Sequence, residues 1–330
     1  MEYKNKTDIS PAILRILKKR GITDPADIEE YMSPTPKRTY DPFLMKGMDE
    51  ASDMIIEYAR GGRRICVYGD YDCDGVTSVS LMMTLLGELA ADAWYYIPSR
   101  FEEGYGLNKK AIDRIAERGT QLIITVDNGC VAFDEVAYIK EKGMAVIVTD
   151  HHNVDTQSPD CIMLDPKQTD DDYPFSFLCG CGVAFKLAQA VTRKTGISKK
   201  KLNSLLDIVG IATVGDIVPL IDENRTLVKY GMDRIRRNER PGLSCLLDAA
   251  GIKAEAVGSY NIAFGIVPYI NSCGRMKRAD MGVELLTGID MGRNEKLAAS
   301  MKELNTLRRS TQDEIYNKAV EWLEARAAVP

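Results

Sequence analysis

Tyr68-Gly-Asp-Tyr-Asp-Cys-Asp-Gly75 places three carboxylates, Asp70, Asp72 and Asp74, at alternate positions. The apolar run Ile65-Cys-Val-Tyr68 precedes them, and a helical pattern opening on Gly75-Val-Thr-Ser78 follows. Three negative charges this close repel one another unless a cation lies between them. Carboxylate oxygens suit hard divalent ions such as Mg²⁺ and Mn²⁺. The C-terminal end of a strand is also where open α/β sheets build their sites.

The same pattern repeats downstream. Arg64–Tyr68, Ala93–Ile97, Leu122–Val126 and Ala145–Thr149 read as short apolar strands. Val76–Leu89, Lys109–Arg118 and Phe133–Lys142 read as the helices between them. Continuous apolar strands alternating with helices predict an α/β fold with a parallel sheet covered on both faces. Asp127-Asn-Gly129 and Asp150-His-His152 each follow a strand, and parallel strands bring such ends to one edge. Upstream, Ile9–Tyr31 has a helical apolar face with Gly21 as a stop. Met32–Phe43 holds three prolines and reads as extended, and Met48–Arg60 is a second helix closed by Gly61-Gly62. Beyond residue 180 the pattern is mostly helical: Cys181–Lys194, an apolar Leu202–Leu220 interrupted by Gly215-Asp216, and a long helix over Asn294–Ala327.

Composition bounds the function. The 330 residues are 45% hydrophobic and 28% charged, an ordinary globular balance. No apolar run approaches ~18 residues, so no membrane span is expected. The opening Met1-Glu-Tyr-Lys-Asn-Lys lacks an apolar signal segment, which favours the cytoplasm. Eight scattered cysteines form no pair of CxxC knuckles, so they read as buried thiols rather than zinc ligands. The net charge of −5 argues against a broad nucleic-acid-coating surface but leaves room for a local basic groove. It also counts the acidic cluster without the ions that would cancel part of it.

Each acidic residue has a plain alternative. An aspartate at a strand end can simply cap the next helix. For Asp72, Asp74 or Asp127 alone, capping is the better reading; the clusters taken together reverse it. Both histidines of the chain, His151 and His152, are adjacent on the same expected edge. Imidazole beside carboxylates moves the expected metal from Mg²⁺ towards Mn²⁺. Asp216 stands in the apolar Ile211–Pro219, where an unpaired charge is costly; it is either a helix N-cap or a ligand. Pro268-Tyr-Ile-Asn-Ser-Cys-Gly-Arg275 reads as a polar turn whose Arg275 could grip a phosphate at two points, or as a surface arginine. Arg100-Phe-Glu-Glu-Gly-Tyr-Gly-Leu107 reads as a phosphate- or base-contacting loop, or a plain one.

Asp72-Cys-Asp74, Asp127-Asn-Gly129, Asp150-His-His152 and Asp216 resemble, in order, the four motifs of the DHH phosphoesterase superfamily. The resemblance is closer to its RecJ branch, the single-stranded-DNA-specific exonucleases. It extends over Arg20-Gly-Ile22, Asp41-Pro-Phe-Leu44, Gly69–Gly75, Arg100–Leu107, Gly182-Val-Ala-Phe-Lys-Leu187, Gly215-Asp-Ile-Val-Pro-Leu220 and Asn271-Ser-Cys-Gly-Arg275, nearly the whole chain. Two features depart from the pattern. Tyr68 replaces a histidine frequent in the wider superfamily, and Ser272-Cys273 stands where an alanine-rich turn is usual.

The resemblance implies a two-metal phosphodiesterase that removes 5′-mononucleotides from the 5′ end of single-stranded DNA, in DNA repair and recombination. It implies Asp72, Asp74, Asp127, His151 and Asp216 as metal ligands, with Asp127 bridging, and Asp70 and Asp150 supporting them. His152 would contact the scissile phosphate or move a proton. Arg275 and Asn271 would clamp the phosphate, while Arg100 and Tyr105 would contact substrate. The cofactor expected is a pair of divalent ions, Mn²⁺ first and Mg²⁺ second. The domains expected are a helical extension over 1–47, a catalytic domain over 48–290 and a connecting helix over 291–330. The family continues into a glycine- and histidine-rich second domain and an oligonucleotide-binding barrel, so a truncated, weakly processive monomeric core is expected. A single-strand-binding protein or a helicase would be a partner only through those domains. The competing readings are a phosphodiesterase for short oligonucleotides or cyclic dinucleotides, and a non-catalytic partner in a replication complex.

Overall fold

In the computed structural model, β1 (Ile65–Tyr68) lies inside a parallel sheet with β2 (Ala93–Tyr96), β3 (Leu122–Val126), β4 (Ala145–Thr149) and β5 (Ile162–Leu164), in the order β2-β1-β3-β4-β5. The structure describes residues 9–154, 157–276 and 278–327; the Met1–Lys6 opening and the final Pro330 lie outside them. β1, β3 and β4 are buried almost throughout, as continuous apolar strands should be. β5 was not visible in the sequence, because three residues give no period to read.

Register decides where the site lies. Tyr68 pairs with Thr125, Val126 with Thr149, and Thr149 with Leu164. The Asp127 N–H then donates to the Thr149 carbonyl and the Asp150 N–H to the Leu164 carbonyl, each at 3.0 Å. The strands therefore end level with one another, and the acidic residues after them share one edge.

Before the sheet come α1 (Pro11–Lys19), α2 (Pro25–Met32) and α3 (Met48–Arg60). The single helix expected over 9–31 is two. Gly21 takes φ 77°, and Asp24 then caps a new start at Pro25, its side chain accepting the Ala26 N–H at 2.8 Å. The stretch read as extended contains two short 3₁₀ turns, 36–38 and 42–44, each opened by a proline. Among the crossover helices, α4 (Cys73–Glu88) is buried nearly all round, while α5 (Lys109–Glu117) and α6 (Phe133–Glu141) cover the other face of the sheet. α4 can bury hydroxyls because it satisfies them internally: Thr77 Oγ1 donates to the Cys73 carbonyl at 2.6 Å and Ser80 Oγ to that of Val76 at 2.7 Å.

The remainder is helical: α7 (Gly180–Thr195), α8 (Lys199–Ser204), α9 (Leu206–Gly215), α10 (Asp222–Arg237), α11 (Pro241–Ala250), the turn α12 (Ser259–Asn261), α13 (Val267–Arg275), α14 (Asp280–Thr287) and α15 (Met291–Ala327). A π turn over Ile262–Ile266 joins α12 to α13. The polar turn expected over 268–275 is thus a helix. Pro268 falls in its first turn, where proline is tolerated, and Val267, Ile270 and Cys273 bury an i, i+3, i+6 stripe. One buried ion pair ties α7 to α10 and to the segment before α3. Lys186 Nζ meets Glu223 at 2.7 Å and the Tyr40 carbonyl at 2.6 Å, and the Tyr173 hydroxyl donates to Glu223 at 2.5 Å.

Candidate metal centre

Asp72 and Asp74 occupy the turn from β1 into α4. Asp72 is the N-cap, accepting the Gly75 N–H at 3.0 Å, so the plain capping reading holds for it as well. Asp74 points away from its own helix towards the N-terminus of α7. One of its oxygens accepts the Gly180 N–H at 2.6 Å and the other the Cys181 N–H at 2.9 Å. A helix N-terminus suits a carboxylate, because its free N–H groups carry partial positive charge. Asp127, at the end of β3, takes φ 63°, a left-handed backbone that costs energy in a non-glycine residue. Gly180 packs so closely that a Cβ there would stand 2.7 Å from Asp127 Oδ1. Asp216 is the C-cap of α9, not an N-cap, and faces the cluster from the far side.

His151 joins these groups. Its Nε2 is 3.1 Å from Asp127 Oδ1 and 3.7 Å from both Asp74 Oδ2 and Asp216 Oδ2. The 3.1 Å approach is not aligned as a hydrogen bond, and both atoms are buried without a hydrogen-bond partner, as is Asp70 Oδ1. Buried polar atoms normally find partners. Here they converge on a shared space instead, which fits cation ligands. The ligand atoms of Asp74, His151 and Asp216 lie within 4.8 Å of one another, and so do those of Asp70, Asp72 and Asp127, and of Asp127, His151 and His152. Asp70, expected in a supporting position, is thus as close to the cluster as Asp72.

The electrostatics agree. Burial, reinforced by the Asp216 and Asp72 charges, raises the Asp74 carboxyl to about 8. Burial and then Asp72 raise Asp70 to about 7 and Asp216 to about 6. Burial and the Asp74 charge hold Asp127 well above the carboxylate range. Burial, with His152 beside it, lowers His151 to about 4, so its imidazole is neutral and able to ligate.

His152 and Asp150 form a separate pair. Burial alone would raise Asp150, but its bond to His152 and the Cys130 N–H outweigh burial and hold it at about 2. Asp150 Oδ1 lies 2.7 Å from His152 Nδ1 and also accepts the His151 N–H at 2.7 Å. The bond from Asp150 raises the His152 pKa and leaves Nε2 facing outward, 3.4 Å from the Tyr105 hydroxyl. That hydroxyl also donates to the Asp127 carbonyl at 3.3 Å.

The phosphate candidates stand further out. Asn271 uses its carbonyl oxygen on the Cys73 N–H at 2.7 Å, holding the first turn of α4. Arg275 is exposed and lies near Arg308, whose pKa is lowered by burial, Arg309 and Arg275 together. Arg100 lies 5.3 Å over the Tyr71 ring, at the mouth of a cavity of about 320 Å³, and its charge helps restrain Asp70. Sequence reading missed Asp165, which is buried beside Cys130 and Asp150. Its three-residue strand gives no period, and the one local signal is the aspartate directly after it, as Asp127 follows β3 and Asp150 follows β4.

A parallel sheet whose C-terminal edge gathers carboxylates around one imidazole defines an α/β fold with a candidate metal centre. Residues 64–213 match the model of the DHH family, N-terminal domain. The single-stranded-DNA-specific exonucleases RecJ of Bacillus subtilis and Haemophilus influenzae are 40% and 35% identical over 96% and 93% of this chain. The matches take in 40% and 55% of those relatives, so the chain spans about half the length of the curated relatives it matches. A crystal structure of exonuclease RecJ bound to manganese superposes with a TM-score of 0.77 at 33% identity, covering 83% of this chain and 69% of that one. RecJ of Thermus thermophilus in complex with Mn²⁺ gives 0.76 at 29% identity, over 92% of this chain and 43% of that one. The chain belongs to the DHH family, in its RecJ-like branch.

Proposed function

We propose that this chain is the catalytic core of a metal-dependent phosphodiesterase that hydrolyses single-stranded DNA from the 5′ end and releases 5′-mononucleotides. The observation that carries the reading is the pair of ligand sets, Asp74/His151/Asp216 and Asp70/Asp72/Asp127, joined by the 3.1 Å His151–Asp127 approach. Asp74, His151 and Asp216 would hold one divalent ion, Asp72 the other, and Asp127 both, with Asp70 close enough to join the second. Mn²⁺ is the favoured ion, since it accepts imidazole among oxygen ligands, and two similar crystal structures of RecJ hold manganese while a third holds Mg²⁺. When bound, such ions supply Lewis acidity to phosphoryl oxygens and make water acidic enough to act as a nucleophile near neutral pH.

The chain's own residues do the rest. Asp150 fixes His152 with Nδ1 occupied, so Nε2 can meet a phosphoryl oxygen or give the leaving oxygen a proton. Tyr105 orients that nitrogen. Arg275 and Arg100 bring fixed positive charge to the phosphate, which explains how a chain of net charge −5 can hold a polyanion locally. The cytoplasmic, monomeric repair role belongs to the same proposal, as does the division into 1–47, 48–290 and 291–330. No helix among the described residues is long and apolar enough to cross a membrane.

A nuclease assay with 5′- and 3′-labelled single strands in Mn²⁺ tests the reading. Early release of the 5′ label, abolished by Asp127→Ala, is expected. Hydrolysis unchanged by that substitution would overturn the metal assignment, and early release of the 3′ label would overturn the polarity.

A further inference from the structure

The turn Arg20-Gly-Ile22 takes no part in the metal centre. It lines a cavity of about 820 Å³ between the N-terminal helices and the chain just past Asp216. Ile22, Tyr31 and Pro34 belong to one wall, Leu220 and Arg225 to the other. Two guanidinium groups meet there on one ring. Arg225 Cζ lies 3.6 Å from the centre of the Tyr31 ring, and Arg225 Nε donates to the Tyr31 carbonyl. Arg20 Nη1 donates to the Tyr31 hydroxyl at 2.7 Å. Arg225 is half-buried, and among the described residues neither arginine has a carboxylate partner. Burial, with the Arg20 charge, pulls the Arg225 pKa below its usual value. The acids that line the cavity are engaged elsewhere. Arg38 reaches Asp27 at 3.4 Å and Glu30 at 3.9 Å, and the Tyr40 hydroxyl donates to Asp222 at 2.9 Å.

The plain account is a clasp. Arginine stacks readily on an aromatic face, and here it ties α10 to α2. That explains Arg225 Nε and the ring. It does not explain a second arginine on the same ring, where like charges repel. Nor does it explain Arg225 Nη1 and Nη2, which have no protein acceptor among the described residues. The opposite wall is the connector from Asp216 to α10. Its ends, Ile217 at φ 61° and Asp222 at φ 46°, are both left-handed, a costly backbone for residues other than glycine.

We propose that Arg20 and Arg225 form a phosphomonoester site for a nucleoside 5′-monophosphate, outside the metal centre and against the connector that follows Asp216. A guanidinium grips a phosphate at two points, and a dianion between the two arginines removes their repulsion. A cavity of this size takes an organic ligand rather than a bare ion, and Ile22, Pro34 and Leu220 give a nucleoside an apolar surface. The choice of a nucleotide rests on the exonuclease reading, whose product it is; the anion site itself does not. A bound nucleotide joins the N-terminal helices to the connector, so product bears on Asp216 from outside the site that makes it.

Equilibrium dialysis of the whole chain against radiolabelled dAMP in EDTA tests the site. Without divalent ions the acidic centre repels a nucleotide, so retained dAMP reports the cavity. Arg20→Gln and Arg225→Gln should each weaken binding about 10- to 100-fold, the weight of a charge-assisted contact. Arg38→Gln, whose charge Asp27 and Glu30 already take, should change it by less than about threefold. Far-UV circular dichroism checks that each variant folds; should Arg225→Gln fail, the exposed Arg20→Gln carries the test. Hydrogen exchange should slow at residues 20–34 and 217–225 when dAMP binds wild type, and not in Arg20→Gln. A wild type that binds no dAMP, or binding that survives both arginine substitutions, overturns the proposal. Binding of hexaglutamate in place of dAMP overturns it in favour of a peptide dock, and equal binding of dAMP and inorganic phosphate overturns the nucleoside part. Dialysis reads no hydrolysis, so a chain inactive on DNA would overturn the exonuclease reading while arginine-dependent dAMP binding still upheld the site.

Discussion

Asp127 concentrates the physics of the site in one residue. It is buried, held at φ 63°, packed under Gly180, and left with an unpartnered oxygen facing an imidazole. Such a residue costs stability in the metal-free protein and repays it only when a cation arrives. Asp127→Asn should therefore raise the melting temperature of the metal-free protein and abolish the further rise on adding Mn²⁺, which differential scanning fluorimetry reads directly. Gly180→Ala should destabilise by about 1–3 kcal/mol or more in urea denaturation, because the new methyl group must displace the Asp127 carboxylate.

The pH dependence follows from the raised carboxyls. Asp216 at about 6, Asp70 at about 7 and Asp74 at about 8 lie above their unfolded values near 4. Their contribution to stability is present below about pH 4 and is lost as pH rises through about 6–8. Divalent ions need the same groups ionised. The melting-temperature gain from Mn²⁺ should thus grow from pH 5.5 to pH 8.5; a gain that shrinks over that window would contradict the assignment.

At the scale of elements, α7 ties the two sides of the centre together. Its N-terminus grips Asp74, and its middle carries Lys186 into the buried contact with Glu223, seven residues after Asp216. Lys186→Met alone should cost about 3–5 kcal/mol in urea denaturation by leaving Glu223 uncompensated, and Lys186→Met/Glu223→Leu should recover much of that. The elements also show what could be read in advance. β1, β3 and β4 and the aspartates after them were legible, because an apolar run followed by Asp is a local signal. The amide grip on Asp74 and the Cys73–Asn271 bond were not, because they join residues far apart in the chain, and the φ of Asp127 was not, because a left-handed backbone at a non-glycine residue leaves no mark in the sequence. α13 was misread for a physical reason: a proline and a glycine among polar residues resemble a turn until the buried stripe of Val267, Ile270 and Cys273 is seen to have something to pack on.

On the scale of the whole molecule, the helical half completes what the sheet begins. Asp216 and Asn271 bring to the strand edge groups that a parallel sheet alone cannot supply, and α15 packs on α11 and α13 behind them. Past Arg308, α15 runs exposed, with Ile315 63% and Trp322 54% accessible. The central claim, that this edge is a two-ion centre built on Asp127, is tested most directly by equilibrium Mn²⁺ binding on the metal-stripped protein. Two ions per chain are expected for wild type and a loss of both high-affinity events for Asp127→Ala. Binding of fewer than two ions by wild type, or two ions still bound by Asp127→Ala, would contradict it.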